Sequence, residues 1–575
     1  MINFLEFKPA KCKDCYKCLK HCPVTAIEVI DHQAKIINSR CILCGTCTLV
    51  CPQNAKKVHN SIEEVKQLLA TNDKVVASIA PSFVSSFDIN NFEIMNQALI
   101  KLGFVGSEET AVGANAVTKE YKKMLLSGNY KNLITSACPA VDRMIQLYYP
   151  KALKYLAPVD SPMVAHAKII KKRYPDAKIV FIGPCIAKKQ EAAISGLIDG
   201  VLTFEELDLM LKEKDIKLDE SLLLEHDKDG LEANRARFYP ISRGIIKSFD
   251  GTVDGYEYLA IDGTEKCKEV LENIDDFSGI FFELNSCEHA CVNGPCSLIK
   301  KGAAVKANQK VRTYVKRDIE ASEHDQVVIP SDICFDHVYE HISPMDREPS
   351  EEEITAILAK TGKFTPEDEL NCGACGYDTC RKKAWAVANG YADIEMCVPY
   401  MRKKAESLSY EIIQNMPNGI IVVDNEYKIK EINSNASSLL LVSPHEAKDM
   451  FIYDLMDSSL FIKAIEQKQS TYHKRITLDN SDTIVSMSVI ALKEENSAFA
   501  VLKDITEKTK AEESFEKLRA ETIDTTDEVI KKQMRVAQEI ASVLGETVAE
   551  TKVAILNLKK SLEKEKIGNK KDEDK

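Results

Sequence analysis

Nowhere in its 575 residues does this chain carry an apolar run approaching the roughly 20 residues that a bilayer-spanning helix needs. Its start, MINFLEFKPAKCKDC, has no apolar h-region ahead of the first cysteines, so no secretory leader is read there and a cytoplasmic location is expected. A basic excess is missing too. Against 76 Lys and Arg stand 88 Asp and Glu, a formal net charge of −12, which excludes the phosphate-neutralising face of a nucleic-acid binder. Cysteine is absent beyond Cys397, so metal chemistry ends there and a flavin–cysteine adduct downstream is excluded. The last third also lacks a nucleotide-binding loop, a kinase-type region and a DNA-reading helix, so any output from it passes to another protein.

What the chain does have is 19 cysteines. In a reducing compartment, clustered cysteines read as metal ligands rather than disulfides. Sixteen fall into ligand groups, leaving Cys267, Cys296 and Cys334. The length suggests roughly three to five domains.

Residues 1–58 hold the first two groups. Cys12, Cys15, Cys18 and Cys22, followed by Pro23, give C-x2-C-x2-C-x3-C-P, and Cys41, Cys44, Cys47, Cys51 and Pro52 repeat it. This is the spacing of a bacterial two-cluster ferredoxin, in which the fourth cysteine of each run crosses to the other cluster. One 4Fe-4S cluster is thus expected on Cys12, Cys15, Cys18 and Cys51, the other on Cys41, Cys44, Cys47 and Cys22. Zinc is the alternative for any C-x2-C pair, and the doubled run with both prolines argues against it. The intervening TAIEVIDHQAKIINSR predicts strand, turn at Asp31-His32-Gln33, and strand.

Residues 346–405 hold another group. After the acidic link SPMDREPSEEE (343–353) and a helix comes LNCGACGYDTCRKKAWAVANGYADIEMC, in which Cys372, Cys375, Cys380 and Cys397 give C-x2-C-x4-C-x16-C. RKKAWAVANGYADI reads as one helix carrying the sole tryptophan, Trp385, expected to pack against the cluster lobe. The stretch resembles a small 4Fe-4S domain attached to several redox proteins; on spacing alone, four thiolates suit zinc as well.

Residues 60–345 alternate short apolar runs, VVASIAP (75–81), NLITSACP (132–139), KIVFIGPC (178–185) and GIFFEL (279–284), with helical stretches such as SPMVAHAKIIKKRYP (161–175). That alternation predicts an α/β domain presenting residues at strand carboxyl ends. Three runs lead into Cys138, Cys185 and the pair Cys287 and Cys291. The stretches TSACPA, GPCIAKKQE and ELNSCEHACVNGPC resemble, in order, the three signatures TSCCPxW, PCxxKxxE and ExMxCxxGCxxGGG of the FeFe-hydrogenase family. The resemblance implies an H-cluster: a 4Fe-4S cluster on Cys138, Cys185, Cys287 and Cys291, with Cys291 bridging to a two-iron unit that carries carbon monoxide, cyanide and a bridging dithiolate. Lys188 and Glu191 match the second signature, the lysine being a donor to cyanide. A variant with only the 4Fe-4S cluster, as in hydrogenase-like assembly proteins, is the alternative, against which Lys188 and Glu191 speak.

There are departures from the family pattern. Ala137 stands where the family has a proton-relaying thiol, Gly183 and Asn285 replace methionines, Ala290 replaces a glycine, and Gly294-Pro295-Cys296 replaces the glycine run. GSEETAVGANAVTKEY (106–121) lacks the glutamate pair that continues the relay. Loss of a well-placed acid or base costs about 10²–10⁴-fold, so low turnover is expected. Glu288, His289 and Cys296 are the nearest titratable substitutes.

IIQNMPNGIIVVDNEYKIKEINSNASSLL (412–440) and SAFAVLKDITEK (497–508), with its closing DIT triplet Asp504 to Thr506, resemble the two ends of a PAS domain, placed at 408–507. His445 and His473 could ligate haem, but a dimerisation module without cofactor is preferred. In 508–575, Ile530, Met534, Ala537, Ala541, Leu544, Val548, Thr551, Ile555, Leu558 and Leu562 alternate spacings of four and three, a coiled-coil seam. Ala and Thr weaken the seam and Gly545 costs about 1 kcal/mol, so a helical hairpin or a partner-docking helix is the alternative.

The expected protein is thus multidomain, α/β and α+β, and resembles the sensory, PAS-containing branch of the FeFe-hydrogenases. The resemblance implies slow reversible heterolytic cleavage of hydrogen, four 4Fe-4S clusters plus the two-iron unit, and Lys188, Glu191, Cys291 and Ala137 as the catalytic surroundings. Expected partners are hydrogen and protons, an electron carrier such as ferredoxin, a downstream kinase, phosphatase or regulator, and a second copy through the PAS and helical tail. A non-catalytic iron-sulfur redox sensor is the rival, and a bulk hydrogen producer is disfavoured by Ala137.

Overall fold

The computed structural model describes residues 4–223, 234–300, 302–321, 330, 332–343, 346–448, 450–478, 483–494, 496–543 and 552–560. The chain divides into two compact units, Met1–Met401 and Arg402–Lys575. Among the described residues, no helix is long and apolar enough to cross a membrane.

In the first unit the N-terminal module is tied by antiparallel strands Leu5–Phe7 and Lys56–Val58. Between them lies the hairpin Ile27–Ile30 with Gln33–Ile36. Its turn is only Asp31 and His32, both with positive φ (50° and 60°), as a two-residue hairpin requires, so Gln33 belongs to the strand rather than the turn. Two short helices, Lys17–Lys20 and Thr46–Val50, each bury the third cysteine of a run.

The central region, expected as an α/β domain, contains two parallel sheets. One has the order Gly106–Glu109, Val75–Ile79, Lys178–Gly183, Gly200–Thr203; the other, Glu257–Asp262, Ile280–Asn285, Asn132–Ile134. Their inner strands, Val75–Ile79, Lys178–Gly183 and Ile280–Asn285, are mostly apolar and buried, as parallel sheets covered on both faces demand. Both sheets point strand ends toward the same seam, where the cysteines collect.

The third cysteine-bearing segment packs back on the first. Helix Glu351–Lys360 starts at a capping box of Ser350 and Glu353. Helix Cys380–Ala388 is shorter than the sequence suggested, because Gly390 (φ +74°) turns the chain and Tyr391 then accepts a hydrogen bond from the Val29 amide at 2.8 Å. Trp385 stacks beneath the Arg40 guanidinium, 4.9 Å from the ring centre, and Arg40 pairs with Asp346. Sequence order therefore differs from spatial order: the late cysteine lobe lies against the N-terminal module.

Helix Val398–Asn415 carries the chain into the second unit. There five antiparallel strands are ordered Ile429–Ile432, Gly419–Val423, Ser497–Asp504, Ile484–Leu492, Thr471–Thr477, with helices Ser434–Leu440 and Ser459–Glu466 packed on a closed apolar core. Asn433, fully buried, accepts from the Ile420 and Ala436 amides and donates to the Ile413 and Asn418 carbonyls, fixing the start of the first helix. The tail begins with the helix Thr506–Val543. Residues 552–560 are also helical, and Lys559 reaches Asp527 at 3.3 Å, so the tail folds back on itself as a hairpin. Seam positions Ile530, Met534 and Ala537 are half-buried on the first arm and Ile555 on the second, whereas Leu558 is exposed and does not join a seam; Leu544, Val548, Thr551 and Leu562, and the side chain of Ala541, lie outside what the structure describes.

Candidate metal centre

Cys138 is the N-cap of helix Pro139–Tyr148; Cys185 sits between strand Lys178–Gly183 and helix Ala187–Ser195. Cys287 follows strand Ile280–Asn285, and Cys291 lies in the 3-10 turn Ala290–Asn293, entered through His289 and Ala290 at φ 65° and 61°. The four thiols line one cavity, three delivered by the three-stranded sheet and one by the four-stranded sheet. Burial pushes Cys138 up to about 12, with neighbouring Cys185 adding to it; burial and the other cysteines likewise raise Cys287 and Cys291. Such crowded, desolvated thiols ionise only against a cation that offsets their charge.

A second cavity adjoins the first and shares Ala137, Pro184, Cys185, Lys188, Asn285 and Cys291 with it. Lys188 is its one charged lining residue. Its ammonium donates to Glu191 Oε2 at 2.6 Å and Ser161 Oγ at 3.0 Å; burial works against the charge, but Glu191 more than offsets it and the pKa is raised. Ser82, fully buried in the same wall, has a hydroxyl with no hydrogen-bond partner. A donor left over in this way calls for an acceptor inside the cavity. Sequence reasoning missed Ser82, although APS follows strand Val75–Ile79 just as the cysteines follow theirs. The residues present fit a two-part group: thiolates on one side, Cys291 at the junction, and hydrogen-bond donors from Ser82 and Lys188 beyond it.

Ala137 lines both cavities with only a methyl group. The three substitutes read from sequence do not take its place. Glu288 and His289 are exposed, Glu288 facing Lys266, while Cys296 is buried in an apolar cluster against which Cys138 and Cys185 pack, and none of the three lines either cavity.

Cys44 also lines the four-cysteine cavity. Cys22 lies beside it, raised to about 12 by burial and by Cys44, while Cys41 and Cys47 feel both. Cys51 lies by Cys18, whose sulfur accepts from Lys56 Nζ at 3.3 Å. The close approach depends on Gly45 (φ +78°): a Cβ there would lie 2.5 Å from Pro295 and 2.8 Å from Ile186. Cys372, Cys375, Cys380 and Cys397 line a further cavity with Lys363 and Lys383, and Lys363 Nζ donates to Cys397 Sγ at 3.4 Å. Among the described residues, no three Cys, His, Asp or Glu side chains converge as single-ion ligands. Thiols set around a shared space suit a cluster between them better than one zinc ion.

Residues 73–295 match the family described as iron only hydrogenase large subunit, C-terminal domain; residues 11–61 match a 4Fe-4S dicluster domain, and 368–399 a putative Fe-S cluster domain. The chain is 26% identical over 293 residues to the NADP-reducing hydrogenase subunit HndD of Solidesulfovibrio fructosivorans, covering 42% of this chain and 50% of that one. It is 26% identical over 380 residues to iron hydrogenase 1 of Clostridium pasteurianum, covering 51% and 64%. It thus spans about half to two thirds of these relatives. A solved Chlamydomonas reinhardtii FeFe-hydrogenase superposes on 50% of this chain and 100% of its own, at 15% identity and a TM-score of 0.36.

Proposed function

We propose that this hydrogenase-like iron-sulfur protein is a slow, hydrogen-sensing FeFe-hydrogenase whose second unit reports to a separate signalling protein. The observation that carries the reading is the pair of joined cavities. Four cysteines surround one, Cys291 stands at the junction, Ser82 and Lys188 offer donors to the other, and a methyl group stands at Ala137.

In this reading Cys138, Cys185, Cys287 and Cys291 hold a 4Fe-4S cluster, with Cys291 shared by a two-iron unit bearing carbon monoxide, cyanide and a dithiolate. That group, when bound, supplies heterolytic cleavage of hydrogen. Ser82 and Lys188 orient it through its acceptor ligands, and Glu191 holds the lysine in place. Apolar neighbours such as Met163, Phe181 and Ile245 keep water out of the cavity. Ala137 neither takes nor gives a proton, which limits the rate.

Electrons have a short way out, because Cys44 lines the same cavity as Cys287 and the late cysteine lobe lies against the N-terminal module. The ligand sets are those of the crossed ferredoxin pattern and Cys372, Cys375, Cys380 and Cys397, giving four 4Fe-4S clusters in all; a ferredoxin-type carrier is the expected electron partner. The order of the five strands in the second unit, second-first-fifth-fourth-third, supports a PAS reading for 408–507. A second copy and a kinase, phosphatase or regulator are its proposed partners, in the cytoplasm.

Infrared spectroscopy after loading with the two-iron cofactor tests this. Carbon monoxide and cyanide bands that shift under hydrogen, with measurable uptake, are expected. Their absence would favour the other reading, a non-catalytic iron-sulfur redox reporter, for which Ala137 is the supporting observation.

A further inference from the structure

A site without the usual relay still has to exchange protons. We propose that Thr110, Ser78, His166 and Glu108 form the proton route between the second cavity and solvent, an inference that rests on the hydrogenase reading above. Thr110 lines the cavity and is the residue just ahead of helix Ala111–Leu126. Its Oγ1 lies 2.8 Å from Ser78 Oγ, and Ser78 Oγ lies 2.8 Å from His166 Nδ1. His166 Nε2 lies 3.1 Å from Glu108 Oε2. Ser78 and His166 are buried, while the Glu108 side chain is 16% exposed and its partner Arg173 27%, so the chain ends at the surface.

Packing builds this line. Helices Ala111–Leu126 and Pro162–Arg173 meet at Gly113, where a Cβ would lie 2.2 Å from the Pro162 carbonyl and 2.7 Å from His166 Cβ. Only glycine lets His166 sit under strand Val75–Ile79 within reach of Ser78.

The polarity follows from the outer end. Burial pushes the Glu108 carboxyl up, but His166 and Arg173 more than offset it and bring it to about 2. An ionised Glu108 accepts from His166 Nε2–H, leaving Nδ1 as the acceptor for the Ser78 hydroxyl, which in turn accepts from Thr110. The Thr110 oxygen keeps a lone pair for the cavity. A proton arriving there moves one hydroxyl proton on at each step and makes His166 an imidazolium. The ring then releases its Nε2 proton through Glu108 to water, so one proton enters and one leaves; the imidazole is left protonated at Nδ1, and turning the ring over together with hydroxyl reorientation resets the chain, while reversal carries protons inward.

Other exits stop short. Tyr239 leads to Thr118 (3.0 Å), Ser248 (2.8 Å) and then the Ile245 carbonyl, which cannot pass a proton on. Asn285 interposes an amide before Asp262. Lys188 is held as a cation by Glu191. Among the described residues lining the cavity, Thr110 alone opens a hydroxyl and imidazole chain to a part-exposed carboxylate.

The test uses the full chain. In protein loaded with the two-iron cofactor, Thr110→Val and His166→Gln should keep the diatomic infrared bands of wild type yet lower hydrogen uptake by about tenfold or more, with Thr110→Ser near wild type. In unloaded protein, histidine 15N NMR should show His166 protonated at Nε2 with Nδ1 accepting a hydrogen bond, and Ser78→Ala should shift that Nδ1 signal. Intact bands with unchanged uptake in Thr110→Val and His166→Gln, or a His166 signal indifferent to Ser78→Ala, would overturn the route alone. Wild type without diatomic bands would overturn the hydrogenase reading and the route with it.

Discussion

Replacing Gly45 with alanine probes the contact through which the N-terminal module meets the four-cysteine cavity. Two costs add. At φ +78° an L-residue is strained by about 1–2 kcal/mol. The new Cβ would also lie 2.5 Å from Pro295 Cβ and 2.8 Å from Ile186 Cδ1, an overpacking of about 1–3 kcal/mol. Gly45→Ala should therefore lose about 2–5 kcal/mol. Because Ile186 follows Cys185 directly, the strain falls on the cavity wall, and hydrogen-dependent reduction of the ferredoxin clusters should slow. Urea unfolding of reconstituted protein, followed by visible cluster absorbance, reads the first effect. Combining Gly45→Ala with Pro295→Gly removes the Pro295 clash and leaves the Ile186 contact and the backbone cost, so the pair should be less damaged than the sum of its parts. Wild-type stability in Gly45→Ala, or strict additivity with Pro295→Gly, would refute the packing argument.

Ala137→Cys restores a thiol in the wall common to both cavities and should raise hydrogen turnover, by up to about 10²-fold if proton supply limits; an unchanged rate in a hydrogen-uptake assay would put the limit elsewhere. Burial raises Glu283, which accepts from the Gly244 and Ile246 amides, from 4.5 to about 7. The folded state thus holds a proton that the unfolded chain releases, so its stabilisation is full below about pH 4.5 and is lost as pH rises to about 7. Glu283→Gln should flatten that part of the stability profile measured by urea unfolding, and an unaltered slope would contradict it. Asn433→Ala strips four hydrogen bonds from a buried helix start and should cost about 2–4 kcal/mol locally, seen as faster amide hydrogen exchange across residues 419–440. Exchange at the wild-type rate would mean the cap is dispensable.

Much of the metal site could be read from the chain, because cluster ligation fixes cysteine spacing and parallel strands announce themselves as apolar runs ending where ligands stand. Cys138, Cys185, Cys287 and Cys291 were singled out by the strand ends they follow and, with Lys188, by their resemblance to the FeFe-hydrogenase signatures; in the fold all five line one cavity. Ser82 was not, since a lone serine after a strand carries no spacing signal; only its unpartnered hydroxyl sets it apart. Nor did local pattern reveal how the strands divide between two sheets, because each strand looks the same whichever sheet it joins. The docking of the late cysteine lobe on the ferredoxin hairpin depends on Gly390 turning Tyr391 toward Val29, a contact across more than 360 residues. Glu288, His289 and Cys296 are near Cys287 and Cys291 in sequence but line neither cavity, whereas Thr110, Ser78 and His166 come from three separate elements and meet only in the fold.

Most direct for the central claim is the infrared spectrum of the full chain loaded with the two-iron cofactor and then exposed to hydrogen. Carbon monoxide and cyanide bands that move under hydrogen, while uptake stays slow, are the expected result. A protein that binds its 4Fe-4S clusters but shows no diatomic bands and no response to hydrogen would contradict it.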